Sequence, residues 1–253
     1  MCLIALAVHA IPGQSLVVLA NRDEFVARES AVADWWEDRP DTLGGRDLVA
    51  GGSWLAIRRD GRFAAVTNVR QGRPGSGEKS RGELVTSFLA SDLSPAAYAR
   101  ELKDLAPAYA PFNLVFGHAN ELLVFHSPTR ELNRLTRGVH GISNGRPDAP
   151  WPKTRRLGEH LTGLSRLPSQ DTLFEWLSDT EEAGIHELPN TGVGTARERF
   201  LSPVCIQGAD YATRASTVVA VDTRGRVSFC EQPWHAGRPL GRRPFTFTLE
   251  SRP

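Results

Sequence analysis

Cys2 stands directly behind the initiator methionine, at the head of the apolar run Leu3 to His9, and the next such run ends in Asn21-Arg22-Asp23-Glu24. Methionine removal generally requires a small second residue, so processing would leave a thiol and a free α-amine together on Cys2. The two groups make a minimal nucleophile and base. The amine titrates at about 7.7–8.0 and can take the thiol proton, and the thiolate attacks acyl carbons near neutral pH. Such a site also needs an oxyanion donor and a group that orients the amine. Fitting residue types fall at strand ends: Asp23 to orient the ammonium, the Asn68 amide to donate to an oxyanion, Asn144 as a further strand-end amide, and Arg214 to lower the thiol pKa or hold an anionic substrate group. The plainer alternatives stay open, with Cys2 as a small packed hydrophobe, Asn68 and Asn144 as turn residues and Arg214 as surface charge.

These residues must be positioned by a mixed set of elements. Leu3 to His9 and Ser15 to Ala20 read as a hairpin about Ile11-Pro12-Gly13-Gln14, and Ser53 to Arg58 pairs with Arg62 to Val69 about Arg59-Asp60-Gly61. Gly44-Gly45 and Gly51-Gly52 mark flexible or closely packed backbone, and Gln71 to Ser80 reads as a mobile surface loop. Helices are expected over Gly82 to Leu89, from the Ser94-Pro95 cap to about Leu105, over Pro152 to Leu161 and over Gln170 to Leu177. Further strands read at Phe112 to Phe116, Glu121 to Phe125, Val139 to Ser143, Pro203 to Gln207, Ser216 to Val221, Val227 to Glu231 and near Phe245 to Leu249, after a polar loop through Arg199. Without regular βαβ alternation, the order fits two antiparallel sheets between helix layers.

Composition narrows the function classes. The 253 residues carry 30 basic and 29 acidic side chains, a formal net charge of +1, so no broad field draws nucleic acid or an anionic membrane, and a small-molecule or protein ligand is the expectation. A single domain over 1–253 is expected from this length. All basic residues but Lys79, Lys103 and Lys153 are arginines, a bias that suggests a GC-rich bacterial genome and leaves any one arginine a weak signal. Cys2, Cys205 and Cys230 show neither disulfide nor metal spacing, and with no basic leader or spanning segment a reduced cytoplasmic setting is expected, with Cys205 and Cys230 inert inside strands. No metal and no cofactor is implied. For haem, CxxCH and Cys-Pro are absent and the histidines are scattered.

One series of segments is specific: MC at the start, ANRDEF, GGSWLAI with AAVTNVR, RGELVTSFL, FNLVFG, GISNG with PWPKTRR, and YATRASTVVAVD. With these segments the chain resembles the NRDE, or Transport and Golgi organisation protein 2, family over nearly its full length. The resemblance implies an α+β fold of the N-terminal-nucleophile-hydrolase type, a four-layer αββα sandwich close to bile salt hydrolases and penicillin V acylases, which cleave linear C–N amide bonds with an N-terminal cysteine. It assigns Cys2 as nucleophile, Asp23 as the acid on its amine, Asn68 as the oxyanion asparagine, Asn144 as a second substrate-facing amide and Arg214 as the arginine near the thiol. Those acylases carry an arginine just before their Asn-x-Asp, where this chain has Ala20; here the arginine is Arg22, inside the triplet. Three classes follow: a cysteine amidohydrolase on a small acyl-amide; a carrier of the same fold handling haem or an acyl lipid, in line with the haem-trafficking and lipid-homeostasis roles associated with the family; and an interaction protein of membrane trafficking.

Overall fold

The computed structural model describes residues 2–72 and 77–250, so the expected loop Gln71 to Ser80 lies partly outside the described residues. The first strands are β1 (Cys2–Val8), β2 (Gln14–Phe25), β3 (Ser30–Trp36), β4 (Arg39–Asp47), β5 (Leu55–Arg58) and β6 (Arg62–Asn68), followed by helices α1 (Gly82–Ala90) and α2 (Pro95–Leu105). Next come β7 (Phe112–His118), β8 (Glu121–His126), β9 (Glu131–Arg134) and β10 (Gly138–Ile142), then α3 (Pro152–Leu161), α4 (Gln170–Leu177) and α5 (Thr195–Phe200). Strands β11 (Tyr211–Asp222), β12 (Arg226–His235), β13 (Arg238–Pro239) and β14 (Arg243–Thr248) complete the chain. All strand pairings between these elements are antiparallel.

Two sheets form. One runs β10-β1-β2-β11-β12, with β13 and β14 both on β12; the other runs in sequence order from β3 to β9. Period-two alternation in β1 and β2 decides how they stack. Ile4, Leu6, Leu16 and Val18 meet Leu55, Ile57, Phe63 and Val115 between the sheets. The alternate residues Leu3, Ala5, Val17 and Leu19 pack outward on Leu157, Leu161, Leu173 and Leu177 of α3 and α4. On the far side, Ala64, Leu114 and Phe116 pack on Leu84, Phe88 and Leu102 of α1 and α2. The layer order is helix, sheet, sheet, helix, the αββα α+β arrangement expected.

The helices begin where their caps said. Ser94 Oγ accepts the Ala97 amide at 3.2 Å with Pro95 in the first turn of α2, and α3 likewise opens on Pro152. Among the strands, β3, β4 and β9 are additions to those expected. Strand β2 runs on into the NRDE stretch as expected, with Asn21 and Arg22 paired on both sides, to β1 and β11, and Asp23 and Glu24 paired to β11. Conversely, Pro203 to Gln207 is no strand, because its backbone groups bond elsewhere: Val204 O accepts from Asn21 Nδ2, Cys205 N donates to Asp179 O, and Ile206 N donates to Thr213 Oγ1.

Glu231 ties the two sheets together at this end. Its Oε1 accepts the Ala33 amide of β3 at 2.6 Å, and burial pushes its carboxyl up from 4.5 to about 7, against the pull of that amide and of Arg22. The folded state therefore holds a proton that the unfolded chain releases, so stability falls as pH rises from 4.5 to about 7 and is level above it. Glu231→Gln is expected to remove a fall on the order of 3 kcal/mol from that window, read by urea denaturation across pH; an unchanged slope would contradict the assignment.

Candidate active site

Cys2 lies directly across from Arg22 in the β1–β2 ladder, so the two side chains share the inter-sheet face at the open end of the sandwich. Both line a cavity of about 500 Å³ together with Glu24, Trp54, Asn68 and Arg81. The cavity is walled by the end of β2, the end of β6 and the start of α1. Arg22 is 5% exposed and its guanidinium carbon lies over the Trp54 ring, 4.5 Å from its centroid. That ring in turn needs Gly45 of β4, where a Cβ would sit 2.1 Å from the indole. Close packing, the second of the two readings of Gly44-Gly45, is the one realised. Cys2 is half-buried; burial, with Asp23 and Glu24 adding, pushes its thiol above the ordinary value while Arg22 opposes. The resting group is a thiol, and reaction requires a base to take its proton.

Alternation divides the NRDE stretch. Arg22 and Glu24 face the cavity, whereas Asn21 and Asp23 point to the α3–α4 layer. Asn21 is fully used as a clamp: its Nδ2 donates to Leu177 O and Val204 O, each at 2.8 Å, and its Oδ1 accepts from Ser216 Oγ at 2.6 Å. Asp23 is wholly buried and accepts from Thr213 Oγ1 at 2.7 Å, with its other oxygen 3.8 Å from Lys153 Nζ of α3. Burial pushes the Asp23 carboxyl up while Lys153 restrains it. Burial pulls Lys153 down to about 8 against the same pairing.

On the other side of the cleft, two asparagines interlock. Asn144 Nδ2 donates to Asn68 Oδ1 at 3.0 Å and to Asn68 O at 3.1 Å. Arg70 Nη2 donates to Asn144 Oδ1 at 3.3 Å, and Arg70 Nη1 is paired with Glu198 of α5. Asn68 thus reaches the cavity as a donor, and Asn144, with no exposed surface, lies behind it rather than in the wall. Arg214 is the extra residue of a β-bulge between Thr213 and Ala215. Its guanidinium is held on the Val26 carbonyl and does not line the cavity. Of the six residues singled out by sequence, Cys2, Arg22 and Asn68 share the cavity; Asp23 and Asn144 stand directly behind, and Arg214 stands aside.

Sequence reading passed over Lys153, Arg70 and Glu198. Lys153 did leave a signal: with Leu157 and Leu161 it repeats every four residues on the buried stripe of α3, in a chain with only three lysines. Among the described residues, no three His, Cys, Asp or Glu side chains gather as metal ligands, and no helix is long and apolar enough to cross a membrane.

The remaining cysteines contrast with Cys2. Burial pushes Cys205 up to about 12 and Cys230 up to about 11, though Cys205 lies in a loop and only Cys230 in a strand. Brief alkylation by iodoacetamide followed by peptide mapping is expected to mark Cys2 at least about tenfold ahead of the others, since both are closed to solvent and nearly all protonated. Labelling of Cys205 or Cys230 first would contradict it.

The model of the family described as Transport and Golgi organisation 2 matches residues 1–236. The mouse Transport and Golgi organization 2 homolog is 30% identical over 236 residues, covering 86% of each chain. The human homolog is 30% identical over 258 residues and 93% of each chain. Among solved structures, a mutant conjugated bile acid hydrolase from Clostridium perfringens superposes with a TM-score of 0.45 at 10% identity, over 99% of this chain and 97% of its own. An N-acylethanolamine-hydrolyzing acid amidase ortholog from Caenorhabditis elegans gives 0.42 at 10% identity, over 86% and 92%.

Proposed function

We propose that this chain, which belongs to the Transport and Golgi organisation 2 family, is an N-terminal cysteine amidohydrolase acting on a linear amide of a small acyl compound. The observation that carries the reading is the shared cavity of Cys2 and the Asn68 amide, backed by a buried carboxylate, Asp23. A thiol that burial keeps protonated needs an adjacent base. Once Met1 is removed, the α-amine of Cys2 supplies it.

The steps balance. The α-amine takes the thiol proton, and the sulfur forms a bond to the amide carbonyl carbon while the carbonyl electrons move to oxygen. Asn68 Nδ2 donates to that oxyanion. Collapse breaks the C–N bond, the leaving nitrogen receives the proton held by the α-amine, and a thioester remains on Cys2. Water, deprotonated by the same amine, then displaces the sulfur, giving the carboxylic acid and restoring the thiol. Asp23, on the buried side of β2, orients the ammonium through its negative charge, and Arg22 offers a cation within the cavity for an anionic substrate group.

The test has two parts. Intact mass establishes whether Met1 is lost. Acyl p-nitroanilides and acyl-thioesters of increasing chain length are then offered to the methionine-free protein. Release of nitroaniline that depends on Cys2 supports the reading. Saturable binding of haem or an acyl lipid with no Cys2-dependent turnover would replace it with a carrier.

A further inference from the structure

Behind Asp23 and Asn68 lies a second buried ion pair, whose arginine also adds its charge to the field on the Asp23 carboxyl. Arg70 and Glu198 are 8% and 3% exposed, 128 residues apart in sequence, and paired side chain to side chain. Burying two charges is a poor way to gain stability, since well-packed apolar residues do as well or better. A chain of hydrogen bonds runs through this pair from Thr191 to Asn144. Glu198 Oε1 accepts from the amide and hydroxyl of Thr191 at 2.8 and 2.6 Å, which fixes the carboxylate. Glu198 Oε2 holds Arg70, whose guanidinium lies 5.1 Å from the Trp151 ring. Arg70 then reaches Asn144 twice, through its backbone amide to Asn144 O at 2.7 Å and through Nη2 to Asn144 Oδ1.

A primary amide can turn half a revolution at little steric expense, exchanging donor for acceptor. For Asn68 that turn decides the chemistry: Nδ2 toward the cavity stabilises an oxyanion, and Oδ1 toward it repels one. Asn68 cannot select its own orientation. Asn144 does so by donating to Asn68 Oδ1, and its own Oδ1 is met by Ser143 Oγ at 3.2 Å, a hydroxyl that can donate or accept, and by Arg70, which only donates, while its Nδ2 faces the Asn68 backbone carbonyl, which only accepts. We propose that Arg70, held by Glu198, is a positioning residue that sets the Asn144 amide and through it turns the Asn68 N–H toward Cys2. The arginine suits the task because it stays charged and planar, whereas a lysine offers a point charge without a fork.

This inference rests on the amidohydrolase reading for its effect on rate, but not for its effect on orientation. Removing one member alone strands a buried charge, so the variant to use is Arg70→Met with Glu198→Met, which leaves none. With an acyl p-nitroanilide as probe, the double variant is expected to fold with wild-type circular dichroism, to keep KM within about threefold and the iodoacetamide rate of Cys2 unchanged, and to lose about a hundredfold in kcat. In an Asn68→Ala background the same pair of changes should lose nothing further, because the group they act through is gone. Arg70→Lys should not rescue. Full kcat in the double variant, or a loss that adds to that of Asn68→Ala, overturns the proposal. If the wild type hydrolyses no amide, the amidohydrolase reading falls and orientation is read directly by NMR. Slow hydrogen exchange of the Asn144 side-chain amide in the wild type that becomes fast in the double variant, or in Arg70→Met alone should the double variant not fold, upholds the positioning role. Equal exchange rejects it.

Discussion

Cys2→Ser is expected to slow hydrolysis of an acyl p-nitroanilide by about a thousandfold or more while substrate affinity changes by less than about twofold. Serine fills nearly the same space, so the cavity walls of Arg22, Trp54 and Asn68 stay in place. What changes is the nucleophile. An alcohol holds its proton far more tightly than a thiol, and an amine titrating at about 7.7–8.0 cannot draw it off efficiently. Asn68 would still meet the carbonyl oxygen, so binding persists where bond formation fails. A variant retaining a tenth of the wild-type kcat would remove Cys2 from the chemistry, and a joint loss of affinity would mean that the thiol binds rather than reacts.

Asp23→Ala should destabilise the protein by about 3–5 kcal/mol, the usual effect of breaking a buried pair from one side. Lys153, nearly closed to solvent, would then lose the carboxylate it lies against, and Thr213 would lose its acceptor. Adding Lys153→Met should recover most of the loss, because the stranded charge goes with it. Urea denaturation of the two single variants and the double variant gives the coupling between them directly. Additive effects would show that the 3.8 Å approach carries no mutual dependence.

The helices α2, α3 and α4 were legible to the residue because prolines and serines at their first turns act locally, within reach of their own backbone. Strand β2 ends in the NRDE stretch, as its sequence implied, although that polar end breaks the apolar pattern; pairing with β11, and with β1 at Asn21 and Arg22, keeps it in the sheet. Strands β3 and β4 went unread for a related reason: Trp35-Trp36, Pro40 and Gly44-Gly45 follow no clear alternation, and their order depends on neighbours far along the chain. In the site, Cys2, Asp23 and Asn68 carry chemistry in their types. Arg70 was hidden among 30 basic residues, and Glu198 in a helix too short to show a stripe. Their meaning is in a contact across 128 residues that no spacing announces.

The pairing of β2 with β11 also has a consequence in time. Asp23 and Arg22 belong to a strand made early in synthesis, yet their ladder partners, Thr213 and Ala215, emerge from the ribosome only near the end of the chain. Long-range pairings of this kind form slowly, since loop closure must precede any gain from contact. For most of translation, then, Cys2 hangs on an unfinished edge, reachable by any enzyme that trims Met1. The cavity lining lies within residues 2–110, but the β11 neighbour of β2 comes only in the last third of the sequence. For the proposed reaction, removal of Met1 and completion of the sheet are thereby separate events.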